Sequence, residues 1–249
     1  MSLDAAAVYM PFLIAIVACL YASVGHGGAS GYLALLSLTT LSAKSSSAAA
    51  LALNLVVASI AFFAFRQRNH FSWRLSWPLL LGAAPFAYLG SRLVIHEKVY
   101  FVLVGLVVAW AGLRLLLAGA NQTGEERDAP PPIPVGIATG AGIGLLSGVV
   151  GIGGGIFLSP ILVLTKWADA KRASATSAIF IVSNSAIGLG VRAGAGISLP
   201  PNIPWLIVGG AIGAIFGAWI GAKLMPVTWL RRFLGAVLLV AAVNLLLKG

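Results

Sequence analysis

The sequence predicts an all-α, polytopic membrane protein, and three observations lead there. Of its 249 residues, 59% are hydrophobic and 9% are charged, with a mean hydropathy of +1.00, whereas soluble domains carry about 25% charged residues. Apolar runs recur along the whole chain, at 8–24, 28–41, 46–65, 75–94, 98–118, 133–150, 153–165, 173–191, 202–222 and 228–247. None of them alternates apolar and polar residues as the strands of a membrane barrel do.

Taken in order, the first run is a retained helix. Asp4 is the only charge before it, so the basic leader of a cleavable signal is missing. Cys19, the single cysteine, lies inside this run and reads as packing; an intramolecular disulfide or a multi-cysteine metal site is excluded. Most later runs approach the ~20 residues that a spanning helix needs. The runs 28–41 and 153–165 fall short, and read as short crossings or re-entrant segments. Pro85, Pro160 and Pro226 read as helix kinks or ends. In the run 202–222, Gly209, Gly213, Gly217 and Gly221 recur every four residues, which is the signature of close helix contact in membranes.

The chain repeats itself. At an offset of 126, Gly25-His-Gly-Gly28 aligns with Gly151-Ile-Gly-Gly154; at 130, Ser47, Ala48 and Asn54 align with Ser177, Ala178 and Asn184. At 131, Gly82, Gly90 and Leu93 align with Gly213, Gly221 and Leu224. Two membrane repeats follow, 1–118 and 133–249, joined by a polar cytoplasmic linker at 119–132. Each holds about five apolar segments, one of them short, and an odd number turns the second repeat upside down. Charge supports this. Placing the loop of Arg66, Arg68 and Arg74 in the cytoplasm puts 11 of the 16 Lys and Arg there and leaves Lys44, Arg92, Lys98, Arg192 and Lys248 outside, the bias that the positive-inside rule requires. Both termini then face outward. The formal net charge of +10 belongs to these loops, so nucleic acid is not the expected partner; the lipid bilayer is.

Inverted repeats with glycine-interrupted segments at matching positions are a pattern of secondary transporters, which bind substrate at the repeat interface. The segment 148–160, GVVGIGGGIFLSP, places five glycines in eight residues. Gly25, Gly27 and Gly28 in one repeat, and Gly151, Gly153, Gly154 and Gly155 in the other, are the expected substrate-binding breaks. Each precedes a short helix whose first N–H groups are unpaired and whose dipole is positive there. Such paired ends suit a small anion. His26 is the one histidine inside an apolar run, and a titratable group at that depth is a candidate for binding and proton coupling. No lysine or arginine is expected near the middle of a run, so a protonated His26 would supplement the two helix ends. Asn54 and Asn184 either contact substrate or hydrogen-bond between helices. An enzyme reading rests on Gly28-Ala-Ser-Gly31, a GxSG pattern of rhomboid-type intramembrane proteases. It lacks a histidine base on another apolar run, and Ile156 stands where the repeat aligns Ser30. No metal, cofactor or catalytic residue is expected.

The paired motifs SVGHGGASGYL and GVVGIGGGIFLSPIL, each followed by a short helix and a Ser/Ala/Asn helix, resemble the sulfite exporter TauE/SafE family over nearly the whole chain. The resemblance implies a bacterial or archaeal inner-membrane protein that moves sulfite, sulfoacetate, thiosulfate or related small sulfur-containing anions. Export is the first expectation, import of organosulfur anions the second and a passive anion channel the third. The oligomeric state, monomer or homodimer, stays open.

Overall fold

The computed structural model describes residues 3–36, 39, 41–93 and 130–224, together with scattered positions within 102–117 and 226–247. All regular structure among the described residues is helical. Residues 119–129 of the linker, the chain ends and most of the fifth run of each repeat lie outside the described residues.

The helices described along their length are α1 (Leu3–Ala22), α2 (Ala29–Leu36), α3 (Ala43–Arg66), α4 (Trp73–Arg92), α5 (Ile133–Val150), α6 (Gly155–Leu164), α7 (Ala170–Gly194) and α8 (Ile203–Trp219), the last running into a π-helical turn at Ile220–Leu224. Four stretches, Lys44–Arg66, Ile133–Val150, Ala170–Gly194 and Ile203–Leu224, are long and apolar enough to cross a bilayer. At 1.5 Å per residue, the 24 residues of α3 extend about 36 Å, beyond the ~30 Å hydrocarbon core. By contrast, α2 has 8 residues and α6 has 10, or about 12 and 15 Å, so neither spans the membrane.

The first short run is shorter than its apolar length suggests. It ends at Leu36, whose carbonyl accepts a hydrogen bond from Thr39 Oγ1 at 2.6 Å, and Ser42 caps α3 by accepting from the Ser45 amide. Asp169 caps α7 in the same way, accepting from the amides of Lys171 and Arg172. Pro85 and Pro160 lie within α4 and α6 rather than at their ends.

The interior is rich in small residues, with Tyr32, Phe65 and Phe180 the largest side chains fully buried among them, and many large apolar side chains face outward. Ala48, Ala49, Ala50, Ala173, Ala175 and Ala178 are buried, whereas Phe12, Leu81, Trp205 and Phe216 are exposed. That distribution suits a lipid surround, where helices associate through close backbone approach rather than by hiding apolar bulk. The glycine ladder of α8 does what its spacing predicts. A Cβ at Gly209, Gly213, Gly217 or Gly221 would fall on the carbonyl oxygens of Pro11, Ala15, Cys19 and Ser23 of α1. A second ladder stands between α5 and α4: Gly140, Gly144 and Gly148 abut the carbonyls of Leu79, Ala83 and Ala87, and Gly82 and Gly90 abut those of Ile137 and Leu145. Contacts pair off in kind: α1 with α8 and α5 with α4, α3 with α8 and α7 with α4, α2 with α3 and α6 with α7, while α3 and α7 meet each other.

Candidate functional site

Between α1 and α2 the chain turns through residues 23–28, and between α5 and α6 through 151–154. Backbone conformation explains the glycines there. Gly25, Gly28, Gly151, Gly153 and Gly154 all have φ between 73° and 92°, a region costing other L-residues about 1–2 kcal/mol. Gly27 and Gly155 are not left-handed, and their reason is proximity. A Cβ on Gly27 would strike the Asn54 carboxamide, and one on Gly155 would strike Ile181. Gly155 belongs to the first turn of α6 rather than to the break.

The long helices α3 and α7 carry one asparagine each into this region. Asn54 Nδ2 donates to the Ile152 carbonyl and to Ser185 Oγ, both at 3.5 Å, so a side chain of the first half reaches the break of the second. A Cβ on Gly153 would lie 3.0 Å from the same Nδ2. Asn54 therefore stands between Gly27 and Gly153. Asn184 Nδ2 donates to Ser147 Oγ at 3.0 Å and to the Gly153 carbonyl at 3.4 Å. Both asparagines are buried, and each Oδ1 is without a hydrogen-bond partner.

His26 is buried beside them. Its Nδ1 lies 3.0 Å from the Val24 carbonyl, which can only accept, so Nδ1 carries a proton. In the neutral ring Nε2 is then an acceptor; it makes no hydrogen bond of good geometry, and the Gly155 backbone borders the ring. Tyr21 packs edge-on against the ring and shares a 2.9 Å hydrogen bond with Ser30. The hydroxyl of Ser30 is thus joined to a phenol and not to a histidine. Between His26–Ser30 and the opposing Ile152 and Ile156 lies a cavity of ≈ 10 Å³, room for about one water. A cavity of that size is too small for an oxyanion of several heavy atoms.

The structure thus gathers His26, Gly27, Gly28, Asn54, Gly153, Gly154 and Asn184 around the two facing breaks. Gly25 lies to one side, against the Ser174 backbone, and Gly151 to the other, against Ser47 and Arg192. The aligned serines differ: Ser177 Oγ pairs with Ser159 Oγ at 2.6 Å, whereas Ser47 Oγ is unpaired. Sequence reasoning missed Tyr21, Ser147, Ser185 and Arg192. Arg192 lies in the last turn of α7, and its guanidinium reaches Gly151, a neighbour that the sequence did not predict. Its Nη1 donates to the Gly188 carbonyl at 3.1 Å, which turns the guanidinium inward along α7.

The comparisons with known proteins settle the class. A family model described as "Sulfite exporter TauE/SafE" matches residues 10–245. The chain belongs to the TauE/SafE family. The chain is also similar to "Probable membrane transporter protein y4hK" of Sinorhizobium fredii (strain NBRC 101917 / NGR234), at 32% identity over 246 residues, covering 98% of this chain and 100% of that one. No solved structure matches. As a TauE/SafE member, the protein is a multi-pass membrane transporter and not an enzyme, and the protease reading of Ser30 is set aside.

Proposed function

We propose that the protein is a secondary transporter that exports a small sulfur-containing anion, sulfite or an organosulfonate such as sulfoacetate, across the inner membrane of a bacterium or archaeon. The anion sits between the paired breaks, near the first turns of α2 and α6, and both chain termini face outward. The observation that carries this reading is the cluster of unpaired, buried polar atoms there: His26 Nε2, Asn54 Oδ1 and Asn184 Oδ1. Buried polar atoms without partners cost about 1–3 kcal/mol each, so this cluster favours a polar guest.

In the neutral protein all three atoms are acceptors, and a bare dianion would be repelled by them. A proton resolves the conflict. Taken up at His26 Nε2, it turns an acceptor into a charge-assisted donor; carried on the substrate, as in hydrogen sulfite, it donates to a carboxamide oxygen. Anion and proton then raise each other's affinity and cross together.

Flux into proteoliposomes tests the proposal, with sulfite as probe and an imposed pH gradient. Sulfite should accumulate above its equilibrium level when the gradient is present and not when it is collapsed. Flux that only equilibrates sulfite under every gradient would make the protein a channel. Because two carboxamide oxygens also suit a cation, a sodium gradient at fixed pH is the companion measurement; sodium-driven accumulation would replace the proton as the coupling ion.

A further inference from the structure

We propose that Arg192, together with Ser47 and the bare backbone of Gly151, forms a second oxyanion-binding position, a staging site between one membrane face and the break interface. It rests on the transporter reading above and adds a site to it. A Cβ on Gly151 would lie 2.5 Å from Arg192 Nη2 and 2.6 Å from Ser47 Oγ. Cation and hydroxyl are therefore within about 5 Å of each other across the bare Cα of Gly151, so close that the guanidinium must swing aside to admit an anion. A Cβ on Gly188 would lie 3.3 Å from Nη1 and 3.5 Å from Ser91 Oγ, so Ser91, whose hydroxyl donates to the Ala87 carbonyl at 2.8 Å, lies within about 7 Å of the guanidinium.

Two independent features point to a ligand. Ser47 Oγ is buried without a hydrogen-bond partner. Arg192 has no ion-pair partner among the described residues, where Asp169 pairs with Arg172. Asp169 also stands at the opposite end of α7, 23 residues away, or about 35 Å. A guanidinium offers a planar fork of donors that matches two oxygens of one anion, and a serine hydroxyl donates to a third. A pyramidal or tetrahedral sulfur oxyanion has that shape.

The position is separate from the break interface yet adjoins it. Arg192 is eight residues beyond Asn184 on the same helix, about 12 Å along its axis. It has no equivalent on the other side. Where the repeat aligns Arg192 with Phe62 and Ser47 with Ser177, the hydroxyl of Ser177 is already bonded to Ser159, and Gly25, the counterpart of Gly151, abuts the Ser174 backbone. An anion thus meets a fixed cation on one side of the breaks and packed backbone on the other.

Calorimetric titration of the purified full chain with sulfite, repeated with thiosulfate, counts the sites. Wild type should titrate with two sites. Arg192→Gln should lose one, Arg192→Lys should keep it with Kd weakened about tenfold, and Ser47→Ala should weaken it three- to tenfold. Gly153→Ala, in the break, should remove the other site and spare this one. A one-site wild type that Arg192→Gln and Ser47→Ala both leave unchanged overturns the staging site while the break site stands. A wild type that binds neither anion defeats the proposed substrate class itself.

Discussion

Replacing Gly153 by Ala tests whether the breaks face substrate while the ladders hold helices together. Gly153 has φ 75°, so an alanine there costs about 1–2 kcal/mol in backbone strain. The new Cβ would meet Ile181 Cγ2 and Ser185 Oγ at 2.9 Å and Asn54 Nδ2 at 3.0 Å. Asn54 can swing aside, whereas Ile181 Cγ2 and Ser185 Oγ are bonded directly to their Cβ atoms and give way only by a rotamer change or a small shift of α7. Asn54 then gives up its long bonds to Ile152 and Ser185, a further ~1 kcal/mol. The sum, about 2–3 kcal/mol, lowers the unfolding midpoint by about 4–12 °C for a chain of this size. The protein should insert and remain monodisperse in detergent, and sulfite flux in proteoliposomes should fall at least tenfold. Gly217→Ala differs in kind, since its Cβ falls on the Cys19 carbonyl and backbone cannot yield without separating α1 from α8. That variant should fail to accumulate in the membrane. Wild-type flux from Gly153→Ala, or a stable but inactive Gly217→Ala, would show that the two roles have been assigned the wrong way round.

Cysteine labelling of intact cells should find both chain ends accessible from outside and Glu125–Asp128 only from within; a terminus and the linker on one side would remove the inverted repeat. His26→Gln keeps a hydrogen-bonding side chain but cannot become cationic, so sulfite binding should lose the part of its pH dependence that the titration of sulfite itself does not supply. Coincident calorimetric profiles for mutant and wild type would make His26 a structural residue. His70 lies in the connection between α3 and α4, where partial burial, then the nearby Lys171, lower its pKa from the usual 6.5. The unfolded chain therefore takes up a proton before the folded one does, so His70 adds stability above pH 6.5 that declines as pH falls below it. Melting of His70→Gln against pH should show a shallower acid decline than wild type, and parallel curves would refute the linkage.

Much of this was legible in the residues because glycine is informative in two different ways. Spaced by four, as at Gly209–Gly221, it marks a helix face; clustered, as at Gly151–Gly155, it marks a break, and the structure keeps those roles apart. Asn54 and Asn184 were found because the repeat aligned them. Tyr21, Ser147 and Ser185 were not, since a hydroxyl inside a helix is ordinarily satisfied by its own backbone, as Ser59 is by Leu55. A weak signal existed: Tyr21 and Ser147 align at the offset of 126 that matches the breaks, one turn before each. The reach of Arg192 to Gly151 was not legible, because sequence does not reveal that a side chain in the last turn points back along its helix. The early end of α2 escaped notice for a related reason, since Leu41 continues the apolar pattern after Thr39 and Leu36 have already closed the helix.

The two glycine ladders also decide what is able to move. Where carbonyl oxygens press on bare Cα atoms, no rotamer can change to let one helix slide past another, so α1 with α8, and α4 with α5, behave as two stiff plates. Each plate draws one helix from either half of the chain. Opening a path for the anion then falls to what lies between the plates, the side-chain contacts of α3 with α7 and the short arms α2 and α6 that hang from the breaks. A crosslink within a plate should leave the transport cycle running, whereas one between α3 and α7 should stop it.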